Sequence, residues 1–208
     1  AFITSGVVAG GALVVGVVIR PGDRRPELAP LVANPGEQLL NAWVKIAPDN
    51  TVTAIVPHSE MGQGAQTTLA QMLADELDAR WADVRILEAP AEDEYANYAL
   101  AKGYLLGEVR IPRALVPTVD GALMKVSNLM HLQITGGSLS VRTTGVHGMR
   151  LAGAAARALV LAAAADTWQL PVSELTAREG HVVHTATGRQ APYAEFAAAA
   201  GRLTPSAT

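Results

Sequence analysis

The period of hydrophobic and polar positions changes along the chain, and the changes divide it into segments. Residues 1–19 carry no charge. As a helix they would reach about 28 Å, close to the thickness of the hydrocarbon core of a bilayer. The pattern predicts an apolar N-terminal helix that is either an export signal or a retained membrane anchor. A buried core helix or a strand pair is the alternative interpretation.

Residues 20–38 form a segment rich in proline and glycine. Proline lacks the backbone N–H donor and clashes with the preceding turn of a helix, so this composition predicts an extended tether without a helix. We expect the folded domain to begin near Leu39 and to occupy residues 39–208. The prolines concerned are Pro21, Pro26, Pro30 and Pro35.

Alternating polar and apolar positions begin at Asn41 and indicate strands. Two such runs, 43–47 and 51–56, flank the turn Pro48-Asp49-Asn50 and predict a β-hairpin. A helix follows, because apolar residues repeat at helical spacing, and a strand over 84–87 comes next. The apolar positions of that helix are Leu69, Met72, Leu73 and Leu77.

A second helix, rich in alanine, is predicted over 147–168. Its stretch from 158 to 165 is apolar nearly all round, but Arg157 precedes it, so a helix buried between a sheet and a partner is preferred over a second membrane span. The whole pattern predicts an α+β fold in which β-hairpins and a short mixed sheet pack with two to three helices, preceded by the apolar N-terminal helix.

Two glycine-containing loops lead directly into the predicted helices. One, 58–64, precedes the helix with the leucine repeat, and the other, 135–145, precedes the alanine-rich helix. A helix start exposes backbone N–H groups, and its dipole favours an anion. Glycines permit close approach of a ligand, and Arg142 adds a charged donor. Each loop is a candidate phosphate or diphosphate site, with a plain cap or turn as the alternative.

The charge and the cysteine content exclude a nucleic-acid-binding surface and an iron–sulfur cluster site. A net charge of -3, from 16 basic and 19 acidic residues, leaves no broad cationic surface for a phosphate backbone, so nucleic acid is excluded as a partner. The chain has no cysteine. It therefore supplies no thiolate ligands for an iron–sulfur cluster, and any such electron carrier belongs to another chain.

Several motifs, in order and spacing, resemble the opening part of the isoquinoline 1-oxidoreductase type large subunit in the xanthine dehydrogenase and aldehyde oxidase family. They include NAWVKIAPDNTVTAIVPHSEMGQG, QITGGSLSVR and WQLPVSELTAREGHVVH, and they cover nearly all of residues 39–201. Members of this group often begin with a twin-arginine export signal. The resemblance therefore implies a molybdenum hydroxylase, anchored in the membrane on its periplasmic side if the apolar segment is retained.

The resemblance assigns cofactor contacts residue by residue. It implies that the first loop approaches the pterin, with the Gln63 amide donating and accepting hydrogen bonds, and that the second lies against the phosphate end. The cofactor is molybdopterin cytosine dinucleotide if residues beyond these complete the site; otherwise none is bound. The implied contact residues are Met61, Gly62, Gln63, Gly64, Gly136, Gly137, Ser138 and Ser140.

No residue of this chain matches the family's catalytic glutamate, which lies in a part of the large subunit that these residues do not reach. We assign no catalytic residue and no metal ligand, and whether the chain is itself an enzyme stays open. Expected partners are the remainder of the large subunit or another chain, a separate iron–sulfur or cytochrome electron-transfer subunit, and integral membrane proteins.

Other polar residues have plainer interpretations. His181 and His184 are expected on opposite faces of a strand, so a shared metal is not predicted. His58 and His147 are interpreted as turn or surface histidines. The acidic run 92–94 is interpreted as a solvated loop. A nucleophilic hydrolase is disfavoured because no base accompanies the serines Ser59, Ser138 and Ser140.

Two functional hypotheses remain. In the first, the chain is the amino-terminal part of a molybdenum hydroxylase that oxidises an aldehyde or an N-heterocycle, and it contributes part of the cofactor site. In the second, it is a membrane-anchored, cofactor-free structural subunit derived from this family, which packs on the periplasmic side of a larger membrane complex. The intact Gln63 and glycine-serine loops favour the first hypothesis, and a retained anchor favours the second.

Overall fold

The predicted α+β class is confirmed by the computed structural model, in which helices and strands are interspersed along the chain. The sheets are small, and helices pack against them. The structure describes residues 7–9, 12–14, 23–96, 102, 105–107, 109–130 and 135–203.

The described part of the N-terminal segment is a strand pair. β1 (Val7–Ala9) and β2 (Ala12–Val14) run antiparallel, with Ala9 opposite Ala12. The predicted apolar helix is therefore wrong at these six residues, and the strand-pair alternative holds there. Valine is β-branched and favours a strand. The rest of the segment lies outside the described residues, and its membrane location stays a prediction.

A helix, α1 (Arg25–Val32), occupies most of the predicted tether. The expectation that its prolines prevent a helix is wrong because Pro26 stands in the first turn, where the missing N–H has no helical acceptor anyway. Pro30 does interrupt the helix interior. Burial of Leu28 and Val32 against the sheet stabilises the helix, so the folded unit begins before Leu39.

A four-stranded sheet follows, with its strands in chain order. β3, β4 and β5 pair antiparallel, which confirms the predicted hairpin around Asn50, and β6 lies parallel to β5. The strands are β3 (Gln38–Asn41), β4 (Val44–Ile46), β5 (Val52–Val56) and β6 (Val84–Glu88). The predicted strand over 84–87 is thereby confirmed. The parallel pair requires a crossover, and α2 (Ala65–Leu77) supplies it.

The leucine repeat of α2 faces the core, as predicted: Leu69, Leu73 and Leu77 are fully buried. A long helix, α4 (Ser138–Trp168), crosses α2 at close range. A Cβ added at Gly153 of α4 would lie 2.4 Å from the backbone oxygen of Leu73, so glycine is required at this crossing.

α4 begins about nine residues earlier than the sequence predicts. The segment Val141–Met149 is wound as a π-helix, and an ordinary α-helix continues through Arg150–Trp168. Ser138 to Gly145, expected in a loop, are therefore helical. Among the described residues α4 is long and apolar enough to cross a membrane, but half of its most apolar window is buried in the protein. A core helix has the same properties.

A three-stranded antiparallel sheet and a last helix complete the described chain. These are β7 (Leu175–Arg178), β8 (His181–His184), β9 (Gln190–Pro192) and α5 (Tyr193–Ala200). α5 packs on α4, where Phe196 meets Trp168 edge to face at 5.3 Å between ring centroids. The Tyr193 hydroxyl donates to the Leu77 carbonyl at 2.8 Å and ties this unit to α2.

The stretch from 95 to 130 is described in part. It contains α3 (Val116–Leu129), which leaves most of its apolar side chains exposed. The exposed residues include Leu115, Met124, Val126, Leu129 and Met130.

Candidate cofactor-binding site

The first predicted loop leaves the sheet at the carboxyl end of β5, beside the carboxyl end of β6. Val56 is paired with Glu88 across these parallel strands, so the loop and the Glu88 side chain emerge at the same edge. Such edges are the usual ligand sites of parallel strands. The loop backbone is left-handed at Gly62 (φ 87°) and at Gly64 (φ 73°), a conformation that glycine adopts at low cost.

A carboxylate of the loop itself occupies the start of α2. One oxygen of Glu60 accepts the backbone N–H groups of Gly62 at 2.8 Å and Gly64 at 2.9 Å, and the other accepts that of Gln66 at 3.4 Å. The Gly64 N–H contributes most to holding the pKa of Glu60 below its ordinary value, followed by those of Gln66 and Gly62. The sequence motif gave no indication of this contact.

Gln63 joins the two predicted loops. Its Nε2 donates to the Ser59 carbonyl at 3.0 Å and to the Gly136 carbonyl at 3.2 Å, and its Oε1 accepts the N–H of Met61 at 2.5 Å. The bond to Gly136 spans 73 residues of sequence. The two loops, which are far apart in the sequence, therefore lie together at one site.

A second contact supports the bridge. The Thr135 hydroxyl donates to the Ser59 carbonyl at 3.0 Å, so this carbonyl accepts bonds from both segments. Behind them, the buried His58 contacts the buried Thr144 through Nε2 and Oγ1 at 2.9 Å. His58 lies in the bend that follows β5, which agrees with the turn interpretation, but it is buried beside α4 and is not a surface residue. His147 is exposed, as predicted.

The start of α4 differs from the start of α2. No side chain caps it, and its N-cap residue, Gly137, would meet nothing within 4 Å if it carried a Cβ. Ser138 is exposed, whereas Ser140 is fully buried and its Oγ has no hydrogen-bond partner among the described residues. Unpaired N–H groups at a helix start favour an anion.

The two predicted anion sites differ. At α2, the Glu60 carboxylate accepts the N–H groups of Gly64 and Gln66 and would repel an incoming phosphate, so the structure disfavours a phosphate at this helix start. Among the described residues, no side chain caps the start of α4, which leaves that start the better candidate for an anion. Arg142 is exposed within the first turns of α4.

Glu88 adds a second carboxylate to this edge. It accepts the Ser59 hydroxyl at 2.6 Å and the Gln66 side-chain amide at 3.2 Å, and the same amide donates to the His58 carbonyl at 2.8 Å. Glu88 thus bonds to side chains at the two ends of the loop, while the backbone N–H groups between them bond to Glu60. The carboxylates at this edge suit a neutral polar ligand with donors more than a phosphate.

The remaining candidates lie elsewhere. His181 and His184 occupy β8, as predicted, and His184 contacts Glu174 at 3.0 Å and Thr187 at 2.8 Å. The acidic run is less solvated than predicted: Glu94 pairs at 3.1 Å with Arg24, which directly precedes α1, and the Glu94 side chain is 14% exposed. Within the part of the chain that the structure describes, no cluster of His, Asp and Glu is arranged to hold a metal.

Comparisons with known proteins agree with this arrangement. The family model of the molybdopterin cofactor-binding domain matches residues 14–101, which include the first loop and both parallel strands. Isoquinoline 1-oxidoreductase subunit beta from Brevundimonas diminuta is 32% identical over 159 residues, 76% of this chain and 16% of that protein.

The chain belongs to the xanthine dehydrogenase and aldehyde oxidase family. It spans about one sixth of the length of the isoquinoline oxidoreductase subunit that it matches. A second relative is the membrane-bound aldehyde dehydrogenase (pyrroloquinoline-quinone) of Gluconacetobacter polyoxogenes, 48% identical over 44 residues, 21% of this chain and 6% of that protein. The crystal structure of quinoline 2-oxidoreductase from Pseudomonas putida 86 has a TM-score of 0.46 and 20% identity, covering 75% of this chain and 15% of that one.

This family member has features that fit part of a molybdopterin cofactor. Cβ atoms added at Gly62, Gly64 and Gly137 would meet nothing within 4 Å, so both segments present open backbone on this side. The orphan hydroxyl of Ser140 and the uncapped start of α4 offer unused hydrogen-bonding capacity. Sequence reasoning placed Glu60, Thr135 and Thr144 in the two loops without assigning them contacts, and it did not single out Glu88.

Proposed function

We propose that this chain is the amino-terminal part of the large subunit of a molybdenum hydroxylase and contributes part of a molybdopterin cytosine dinucleotide site. The observation that carries the proposal is the Gln63 bridge, in which one amide ties the first loop to Gly136. A chain with no cofactor to hold has no evident use for a half-buried polar bridge between two glycine-containing segments.

The two segments are suited to different ends of the cofactor. The loop from Met61 to Gly64 offers a neutral amide and backbone groups beside Glu60, so in this proposal it holds the pterin edge. The segment from Gly136 to Ser140 offers an uncapped helix start and a spare hydroxyl, so it holds the phosphate end.

The cofactor, when bound, supplies the oxygen-transfer and electron-transfer chemistry, and the protein's part is to hold and orient it. Within the described residues, Gln63 orients the first loop, and Gly62 and Gly64 allow close approach of the backbone to a ligand. We assign no catalytic residue to this chain. The base that moves the substrate proton belongs, in this proposal, to residues outside it.

We propose an aldehyde or an N-heterocycle as substrate, because the matched relatives carry the names isoquinoline 1-oxidoreductase and aldehyde dehydrogenase. The remainder of the large subunit is the expected partner that completes the site. Since the chain has no cysteine, electrons leave through a separate iron–sulfur or cytochrome subunit. The 208 residues by themselves are expected to show no hydroxylase activity.

Metal and pterin analysis of the protein as isolated with its partners tests the proposal. Molybdenum and a cytosine-containing pterin near one per chain support it. A complete lack of both, together with tight co-purification with membrane proteins, rejects it in favour of the membrane-anchored, cofactor-free structural subunit.

A further inference from the structure

Glu60 is an exposed side chain, yet its carboxylate accepts backbone N–H groups on both sides of Gln63. Its bonds reach Gly62, Gly64 and Gln66 within a single loop and the helix start that follows. Bonds from N–H groups to a carboxylate are charge-assisted and stronger than neutral ones.

The loop depends on such contacts for its shape. Gly62 and Gly64 both have positive φ angles, and a Cβ at either would contact nothing within 4 Å, so packing does not fix the backbone there. The N-cap residue of α2 is Gly64, which has no side chain to cap the helix. Without Glu60, the N–H groups of Gly62, Gly64 and, in the first turn of α2, Gln66 would lose their carboxylate acceptor, and the loop would gain conformational freedom.

We propose that Glu60 is a positioning residue, whose carboxylate acts as a built-in anion at the start of α2 and holds the Gln63 loop in one conformation before any cofactor is bound. The inference rests on the proposed function for the identity of the ligand that the loop receives. Two consequences follow. The loop is formed in advance, and the start of α2 is closed to phosphate, which leaves the start of α4 for it.

Glu88 provides a matched control. It is an exposed carboxylate at the same edge of the sheet, and it accepts side-chain groups of Ser59 and Gln66 but none of the loop's backbone N–H groups. Glu60→Gln and Glu88→Gln remove the same charge from neighbouring positions. The effect of Glu60 on the loop backbone is therefore separable from a general change in charge.

The test is local amide hydrogen exchange of the full-length, cofactor-free protein. We expect Glu60→Gln and Glu60→Ala to speed exchange of residues 61–66 about tenfold or more, because charge-assisted bonds to the carboxylate are lost. Exchange of the buried part of α2 near Leu73 should stay unchanged, which shows that the variants fold. Glu88→Gln should leave residues 61–66 within about twofold of the wild type, a margin set by the small energies of surface charge contacts.

Chemical rescue makes the test specific to a carboxylate rather than to ionic strength. In Glu60→Ala, millimolar formate should restore slow exchange of residues 61–66, and chloride at equal ionic strength should not, because formate supplies the missing carboxylate. Unchanged exchange in Glu60→Gln, or rescue by chloride as well as by formate, would overturn the inference.

The outcome is separable from that of the proposed function. Fast exchange in the Glu60 variants of a protein that never contains molybdenum would uphold the positioning role and reject the cofactor proposal. Normal exchange in those variants of a protein that does contain molybdenum would reject the positioning role alone.

Discussion

At the scale of residues, the site depends on side chains that bond to backbone groups far away in sequence. Motif and resemblance predicted Gln63, Gly136 and Ser138 as site residues; the structure brings Gln63 and Gly136 into contact, and their contacts with a cofactor stay a prediction. The Gln63–Gly136 bond and the Glu60 contacts could not be predicted, since side-chain bonds leave no periodic pattern in the sequence.

Replacing Gln63 should uncouple the two segments. Gln63→Ala removes the bonds to the Ser59 and Gly136 carbonyls, so we expect molybdenum content to fall at least about tenfold, as expected for loss of contacts of about 1.4 kcal/mol or more. Elemental analysis of the purified protein measures this. Gln71→Ala, an exposed change on α2, is the control and should keep full molybdenum content. Equal contents in the two variants would contradict the bridge.

The pH dependence of the loop follows from Glu60. Backbone N–H groups, that of Gly64 first, lower its pKa from 4.5, so its stabilising contribution is complete above the unfolded-state value and is lost as pH falls through the folded-state pKa. Exchange of residues 61–66, corrected for the intrinsic rate, should therefore be slow at neutral pH and become faster below about pH 4.5. Glu60→Gln should not show this step. A step of the same size in that variant would assign it to another group.

At the scale of elements, local periodicity predicted the hairpin, the leucine face of α2 and strand β8. The predictions from local periodicity failed where packing against other elements decides the structure. α1 forms in a proline-rich segment because Pro26 stands in its first turn and Leu28 is buried. α4 starts early because residues 138–149, although rich in glycine and hydroxyl side chains, pack as a helix against α2. A Cβ added at Gly145 would lie 2.5 Å from the Met72 sulfur, so glycine allows this close contact.

The crossing of α2 and α4 should not accept a larger residue at Gly153. A Cβ there would lie 2.4 Å from the Leu73 carbonyl oxygen, so we expect Gly153→Ala to lower the free energy of unfolding by about 1–3 kcal/mol. Gly121 lies in the exposed helix α3 with nothing within 4 Å. Gly121→Ala should instead stabilise by about 0.5–1 kcal/mol through helix propensity. Denaturant unfolding compares the two, and a neutral Gly153→Ala would contradict the close crossing.

At the scale of the whole molecule, the α+β class could be predicted, but the way the units join could not. β5 pairs with β6, and the two loop segments meet at one edge of this sheet. Both features depend on contacts between distant parts of the chain. The tether prediction failed for the same reason. The burial that holds α1 is supplied by the sheet core around Ile55 and Tyr95, which the local sequence does not reveal.

The assignment of α1 to the folded domain can be measured. Leu28 is 2% exposed and Leu31 is 55% exposed on the same short helix. We expect Leu28→Ala to lower the free energy of unfolding by about 2–5 kcal/mol and Leu31→Ala by less than about 0.5 kcal/mol. Equal small effects would mean that the segment behaves as a tether.

The central claim is that two segments, distant in sequence, together receive one cofactor. Hydrogen exchange of the full-length protein with its partners, compared between the cofactor-loaded and cofactor-stripped forms, tests it most directly. We predict slower exchange in the loaded form at both 61–66 and 136–141, with no change in β7 to β9. Protection at neither segment, in protein shown to contain molybdenum, would contradict the account.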